Sequence, residues 1–224
     1  MDTEALLLTL RLATITTIIL LAIAIPLSGW IAFSTSKARY LAEALIALPL
    51  VLPPTVLGFY LLVGLGPTTA IGKAITTTLG HTLAFSFPGL VVGSVLYSLP
   101  FAVQPIVAGL RVVDRTYLEA AATLGASPVH TFRSIALPLA KGSVLTAAVL
   151  TFTHTVGEFG VVLMLGGNIP GTTRTLSIAL YDLVEGGDFT AANHLALLLL
   201  GFSTLALVLL YAAPILRRTA ASRG

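Results

Sequence analysis

Cysteine is absent from the 224 residues. Disulfides and thiol chemistry are therefore excluded, and nothing about compartment follows from that in so apolar a chain. Charge is scarce too. Only 9% of residues are Asp, Glu, Lys or Arg, against about 25% in soluble domains. So few charges cannot clothe a water-facing globule, so most of the surface must meet lipid or protein. The net charge of +3 is small and lies between the apolar runs, which gives no basic face for nucleic acid. The short alternating segments that build membrane β-barrels are missing as well.

What the chain has is hydrophobicity, at 56% of residues and a mean hydropathy of +0.99. Five stretches carry no Asp, Glu, Lys or Arg: Leu12–Ser36, Ala44–Gly72, His81–Leu110, Gly142–Gly157 and Phe189–Leu216. Each supplies most or all of the roughly 20 apolar residues that a spanning helix needs. In lipid the backbone must satisfy its own hydrogen bonds, so these stretches are expected to be helices. The fold class is an all-α membrane protein, a single transmembrane domain over 1–224. Its five spans fall near 12–33, 44–65, 85–106, 142–164 and 194–214. Ala22-Ile23-Ala24 has the look of a signal-peptidase site, but the run from Leu12 to Phe33 is 22 residues, longer than the about 7–15 of a signal h-region. A retained first helix is the expectation. Pro49, Pro53 and Pro54 interrupt the second span, and Pro100 and Pro105 the third, where kinks are expected.

With five spans the connecting segments alternate sides. One side collects Lys37, Arg39, Arg111, Arg115, Arg133, Lys141, Arg217, Arg218 and Arg223, nine of the twelve basic residues. The other holds Arg11, Lys73 and Arg174. The excess of Lys and Arg marks the cytoplasmic side. The N-terminus is then expected outside and the C-terminus in the cytoplasm.

The longest inside segment begins at Asp114, a good helix N-cap. Arg115–Leu124 is rich in helix formers. Gly125 tolerates the left-handed conformation that stops a helix. Ser127 and Pro128 suit the start of a second helix, which Pro138 is expected to end. The product is a bent pair of short helices over 114–138. Its marked residues are Glu119-Ala120-Ala121, Gly125 after three residues, and Ile135-Ala136-Leu137-Pro138 after nine more. This spacing resembles the EAA loop of the permeases of binding-protein-dependent ABC importers. The resemblance implies a coupling helix that docks on a separate cytoplasmic ATPase, with Glu119, Ala120, Ala121, Gly125 and Pro138 as the coupling residues. On physical grounds the small Ala120 and Ala121 permit close approach, and Gly125 permits the sharp turn. Glu119 either meets a basic partner or favours its own helix, and sequence alone leaves both open.

Gly157-Glu158-Phe159-Gly160 lies about 30 Å of helix beyond Pro138. Glu158 is thus expected in the outer part of the fourth span, where a carboxylate is a functional hypothesis. His154, four residues earlier, shares its face. Either the pair pins a helix end, or Thr151, Thr155, Glu158 and Phe159 belong to a gate or pathway. The threonines either bond back to helix carbonyls or line that path. The segment 165–193, the longest outside, has a Gly- and Pro-rich loop and then a short helix over Leu176–Glu185. Its Gly-Asn-Ile-Pro-Gly, Thr-Arg-Thr and Ala-Leu-Tyr-Asp, with the preceding Gly157-Glu158-Phe159-Gly160 and with Leu50-Val51-Leu52-Pro53-Pro54 and Phe85-Ser86 upstream, resemble the permeases of molybdate transporters. Sulfate and tungstate permeases share parts of the pattern.

That resemblance covers nearly the whole chain. It implies a homodimer in the plasma membrane, two copies of an ABC ATPase, and an extracytoplasmic binding protein that delivers the oxyanion. Some such permeases carry a further N-terminal helix, which this chain is expected to lack. Asn168 and Arg174 are the candidate contacts for the binding protein. Arg174 and Lys73 read equally as solvated loop charges. No metal site or cofactor is expected. Gly66 to Ala74 imitates a nucleotide-binding loop, but with five residues between the glycines and Ala74 in place of Ser/Thr. The chain is therefore expected not to be an enzyme; ATP would be used by the partner. The competing classes are an ATP-independent channel or secondary transporter, which leaves the elbow's spacing unexplained, and a membrane enzyme, for which His154 and Glu158 are the only inward candidates.

Overall fold

The computed structural model describes residues 2–221, and no strand occurs among them. The first helix, α1 (Thr3–Phe33), is capped by Asp2, whose carboxylate accepts from the Ala5 amide at 3.0 Å. Two helices, α2 (Ala38–Val51) and α3 (Pro54–Gly64), are halves of one apolar stretch bent through 110°. A short α4 (Ala70–Leu79) ends at Gly80 in the left-handed conformation. The continuous α5 (Phe87–Arg111) follows.

The elbow follows. It consists of α6 (Arg115–Thr123), α7 (Pro128–Thr131), a π-helical turn (Phe132–Ala136) and α8 (Leu137–Leu139). From it α9 (Lys141–Val156) departs at 73°. The remaining helices are α10 (Gly160–Gly166), α11 (Leu176–Glu185) and α12 (Phe189–Ala221).

The scaffold is the mutual packing of α1, α5 and α9. Leu20, Ala24 and Ile31 of α1 meet Ala102, Ile106 and Leu110 of α5 and Ala147 of α9 in the main core, all of them buried. Small residues bring the helices close. A Cβ on Gly109 of α5 would lie 2.4 Å from the Ser143 Cβ of α9. Ser28 Oγ of α1 donates to the Val103 carbonyl of α5 at 3.2 Å. By contrast, few residues of Phe189–Ala212 in α12 are buried in the protein.

Among the described residues, three helices are long and apolar enough to cross a membrane: α1, α5 and Phe189–Ala212 of α12. Five crossings are reached only when each of two bent pairs counts as one. The expected spans 44–65 and 142–164 are therefore corrected. The second breaks at Leu52–Pro53 because Pro54 starts a new helix at its first turn, whereas Pro49 is carried inside α2. Pro26, Pro100 and Pro105 likewise lie within continuous helices. The fourth span stops at Val156, and Gly157 and Glu158 separate it from α10. Pro138 does not end its helix either. It lacks an amide hydrogen and would clash in a regular turn, and the wider π turn just before it carries the helix on to Leu139.

The two broken stretches meet. A Cβ on Gly160, at the start of α10, would lie 2.6 Å from the Pro54 Cβ and 3.3 Å from the Thr55 amide nitrogen of α3. One on Gly58 of α3 would lie 2.7 Å from the Met164 Cβ. Both glycines are needed for backbone proximity. Gly160→Ala is expected to destabilise the protein by about 1–3 kcal/mol through overpacking, read as a lower melting temperature in detergent. Gly142→Ala, whose added Cβ meets nothing within 4 Å, should not lower it.

Candidate functional site

The elbow is built from local chemistry. Asp114 accepts from the Thr116 amide at 2.9 Å, and that bond holds its carboxyl below the usual carboxylate range. At the other end of α6 the Ala126 amide donates to the Ala121 carbonyl at 3.0 Å, and the Gly125 amide to the Ala122 carbonyl at 2.9 Å. This is a Schellman closure, and it requires the φ of +80° that Gly125 adopts. Ser127 Oγ accepts from the His130 amide at 3.3 Å and starts α7. The elbow is seated on the end of α1, where a Cβ on Gly29 would lie 2.8 Å from the Phe132 ring. Ala121 is turned inward and buried, while Glu119, Ala120, Gly125 and Pro138 are exposed. The outward face also carries Tyr117, Leu124 and Val129; Leu124 is 88% exposed. Of these, Tyr117 and Leu124 lie in the predicted elbow but were not among the contact residues read from sequence.

On the same end, Arg111 pairs with Glu43 at 2.8 Å, which ties α5 to α2. Arg217, Arg218 and Arg223, counted towards the inside assignment, lie outside the residues whose side chains are described.

At the far end of α9 the predicted pathway residues divide. Thr155 Oγ donates back to the Thr151 carbonyl at 2.9 Å and Thr153 Oγ to the Val149 carbonyl at 2.8 Å. The Thr153 hydroxyl is spent on its own helix, whereas Thr155 Oγ also pairs with Ser98 Oγ of α5 at 3.2 Å. Thr151 is buried and its hydroxyl has no partner among the described residues. His154 does not meet Glu158. Its Nδ1 pairs with Ser98 Oγ at 2.9 Å, and its ring stacks on Phe101 at 4.0 Å. Glu158 occupies the break between α9 and α10 rather than a spanning helix, because the turn at Gly157 ends α9. It is 4% exposed, and its backbone carbonyl accepts from Ser177 Oγ of α11. Phe159 packs with Leu8, Leu12, Leu90, Val162 and Ile178, and its ring lies 5.1 Å from that of Tyr181.

The loop after α10 is closed by side chains that sequence reasoning did not single out. Thr173 Oγ donates to the Gly166 carbonyl at 2.7 Å and accepts from the Ile169 amide at 3.1 Å. Thr9 Oγ of α1 accepts from the Leu176 amide at 2.9 Å, which fixes the start of α11 to the scaffold. Asn168 and Arg174 converge on one carboxylate. Asn168 Nδ2 donates to Asp182 Oδ2 at 2.7 Å, and the Arg174 guanidinium pairs with the same oxygen. Asp182 was visible only as part of the Ala-Leu-Tyr-Asp pattern.

The candidate site is thus a bent helical elbow at one end, two broken helices that meet in the middle and a buttressed loop at the other end, and no group of three or more His, Asp or Glu residues that could hold a metal occurs among the described residues. The family model for the inner membrane component of binding-protein-dependent transport systems matches residues 9–217. The chain belongs to this family. Like others of these inner membrane components, it has relatives along nearly its whole length. The molybdenum transport system permease protein ModB of Azotobacter vinelandii is 50% identical over 213 residues, 95% of this chain and 94% of that protein. The protein of that name from Escherichia coli (strain K12) is 36% identical over 192 residues, 85% and 84% of the two chains. Among solved structures, a bacterial ABC transporter that imports the acidic polysaccharide alginate superposes with a TM-score of 0.75 at 19% identity. The match covers 97% of this chain and 79% of that one. At that identity the likeness concerns the fold.

Asp182→Ala should release both Arg174 and Asn168. Limited trypsin digestion of the purified protein checks this: cleavage after Arg174 should become faster than in the parent, while Asn193→Ala, on the exposed start of α12, should leave it unchanged.

Proposed function

We propose that this chain is the membrane-spanning permease subunit of an ATP-driven importer that carries molybdate across the plasma membrane. The observation that carries the reading is the 50% identity, over 95% of the chain, to a molybdenum transport permease. The exposed elbow with its EAA spacing supports it. The relatives named above are described by molybdenum, which favours that oxyanion over sulfate or tungstate. An ATP-independent channel or secondary transporter is not favoured, since family membership supplies the reason for an elbow.

In this reading the elbow end is cytoplasmic, because Lys37, Arg39, Arg111, Arg115, Arg133 and Lys141 lie along it. The N-terminus is outside. Two copies of the chain form the path, and each elbow, 114–138, engages one copy of a cytoplasmic ATPase through Glu119, Ala120, Gly125 and the apolar Tyr117, Leu124 and Val129. Ala121 and Pro138 act by shaping the elbow. The ATPases hydrolyse ATP; this chain does no chemistry of its own. An extracytoplasmic binding protein presents the anion to the loop 165–193, where Asn168 and Arg174 are held ready by Asp182. Closure of the ATPases draws the elbows together and rocks the two subunits between outward-open and inward-open arrangements. The path holds the anion weakly, through hydroxyls and backbone amides near Thr151 and the α9–α10 break, so that it can leave again.

Two experiments in proteoliposomes test this. Omitting the ATPase should abolish molybdate uptake. Gly125→Val forces a side chain into a left-handed backbone at a cost of about 1–2 kcal/mol and should leave basal ATP hydrolysis while uptake falls at least roughly tenfold. Leu124→Asp, which keeps the elbow's backbone, should give the same uncoupling. Normal coupling in both variants would remove the elbow from the mechanism.

A further inference from the structure

Glu158 is the one acidic side chain among the described residues that is fully buried with neither carboxyl oxygen hydrogen-bonded. A buried carboxylate carries a large desolvation cost unless a positive charge or a proton offsets it. No Lys or Arg of the described residues does so. The two ion pairs, Arg111 with Glu43 and Arg174 with Asp182, lie elsewhere. Arg11 of α1 lies over the Phe87 ring, 4.6 Å from its centroid. The titratable groups on the surrounding helices are committed or uncharged. Tyr97 of α5 is a neutral neighbour, His154 of α9 is held by Ser98 and Phe101, and Tyr181 of α11 donates to Glu185 at 2.6 Å. Ser94 of α5, 0% exposed and with a hydroxyl that also lacks a partner, lies on the stretch of α5 that packs against α10, where a Cβ on the adjacent Gly93 would lie 3.0 Å from Val161. Two buried oxygen-bearing groups without partners thus belong to a helix break and to the helix packed beside it, and such irregular backbone is where membrane transporters hold small cations.

We propose that Glu158 and Ser94 form a site that takes up one monovalent cation, a proton or a sodium ion, within the α9–α10 break. With a proton, the carboxyl O–H donates to Ser94 Oγ. With sodium, the carboxylate and Ser94 Oγ both coordinate the ion. Either way the negative charge is cancelled where an anion has to pass. That last consequence rests on the oxyanion reading above; occupancy of the site does not.

The test uses the permease–ATPase complex and has readouts independent of substrate. Infrared difference spectra of parent minus Glu158→Gln detect a carboxylic acid C=O band at neutral pH if the occupant is a proton. Equilibrium dialysis with radiolabelled sodium detects a saturable site lost in Glu158→Gln if it is sodium. Either result supports the site and names its occupant. Ser94→Ala should shift that band or weaken sodium binding by roughly tenfold. Glu158→Gln, which keeps the shape without the charge, should remove whatever dependence on pH or sodium the parent's molybdate uptake shows. An ionised carboxylate in the parent together with no saturable sodium binding overturns the proposal. A filled site in a complex that does not take up molybdate leaves the site standing and removes the substrate assignment.

Discussion

The constraint on which this structure depends is that lipid offers no partner to a backbone amide or carbonyl. A chain with two interrupted crossings must therefore cover each interruption with protein. It does so by setting the breaks against each other. Pro54 begins α3 where Gly160 begins α10, and the glycine's missing side chain is what lets the two backbones touch. Where contact alone does not suffice, hydroxyls fill in. Ser177 bonds the Glu158 carbonyl, Thr173 bonds both Gly166 and Ile169, and Thr9 receives the Leu176 amide. Irregular backbone at the centre of the protein is bonded from neighbouring helices and loops.

The scaffold that makes this possible is also what joins the two ends. Within it, α9 runs unbroken from Lys141 beside the elbow to Val156 beside Glu158. One helix thus touches both the segment proposed to meet the ATPase and the break proposed to lie on the anion's path. The pair Arg111–Glu43 fastens α5 to α2 just before the chain enters the elbow. The network of Asn168, Arg174 and Asp182 braces the opposite loop.

How much of this was legible in the sequence depended on range. The elbow's turns were readable because Asp114, Gly125, Ser127 and Pro128 act within a few residues of themselves, and the predicted bounds of α11, Leu176–Glu185, stand for the same reason. The breaks in the second and fourth spans were not, because hydropathy registers how apolar a stretch is and not where it points. Proline was ambiguous in the same way. Pro49 and Pro105 sit inside helices, Pro54 starts one, and Pro138 is accommodated by a π turn. Side-chain partners far apart in sequence were out of reach: Thr9 with Leu176, and Asp182 with Asn168 and Arg174. His154 and Glu158 show the reverse error. Spacing of four implies a shared face only while the helix continues, and it stops between them.

The π turn has a mechanical consequence. Because helical structure is maintained through Pro138, the stretch Pro128–Leu139 is a stiff rod of twelve residues, about 18 Å long. In the proposed coupling, a push near Gly125, just before the rod begins, would be delivered as torque at the 73° corner where α9 begins. Had the proline severed the helix, the same push would have been absorbed in a slack joint. The lever arm is intact because one turn is wound more loosely than its neighbours.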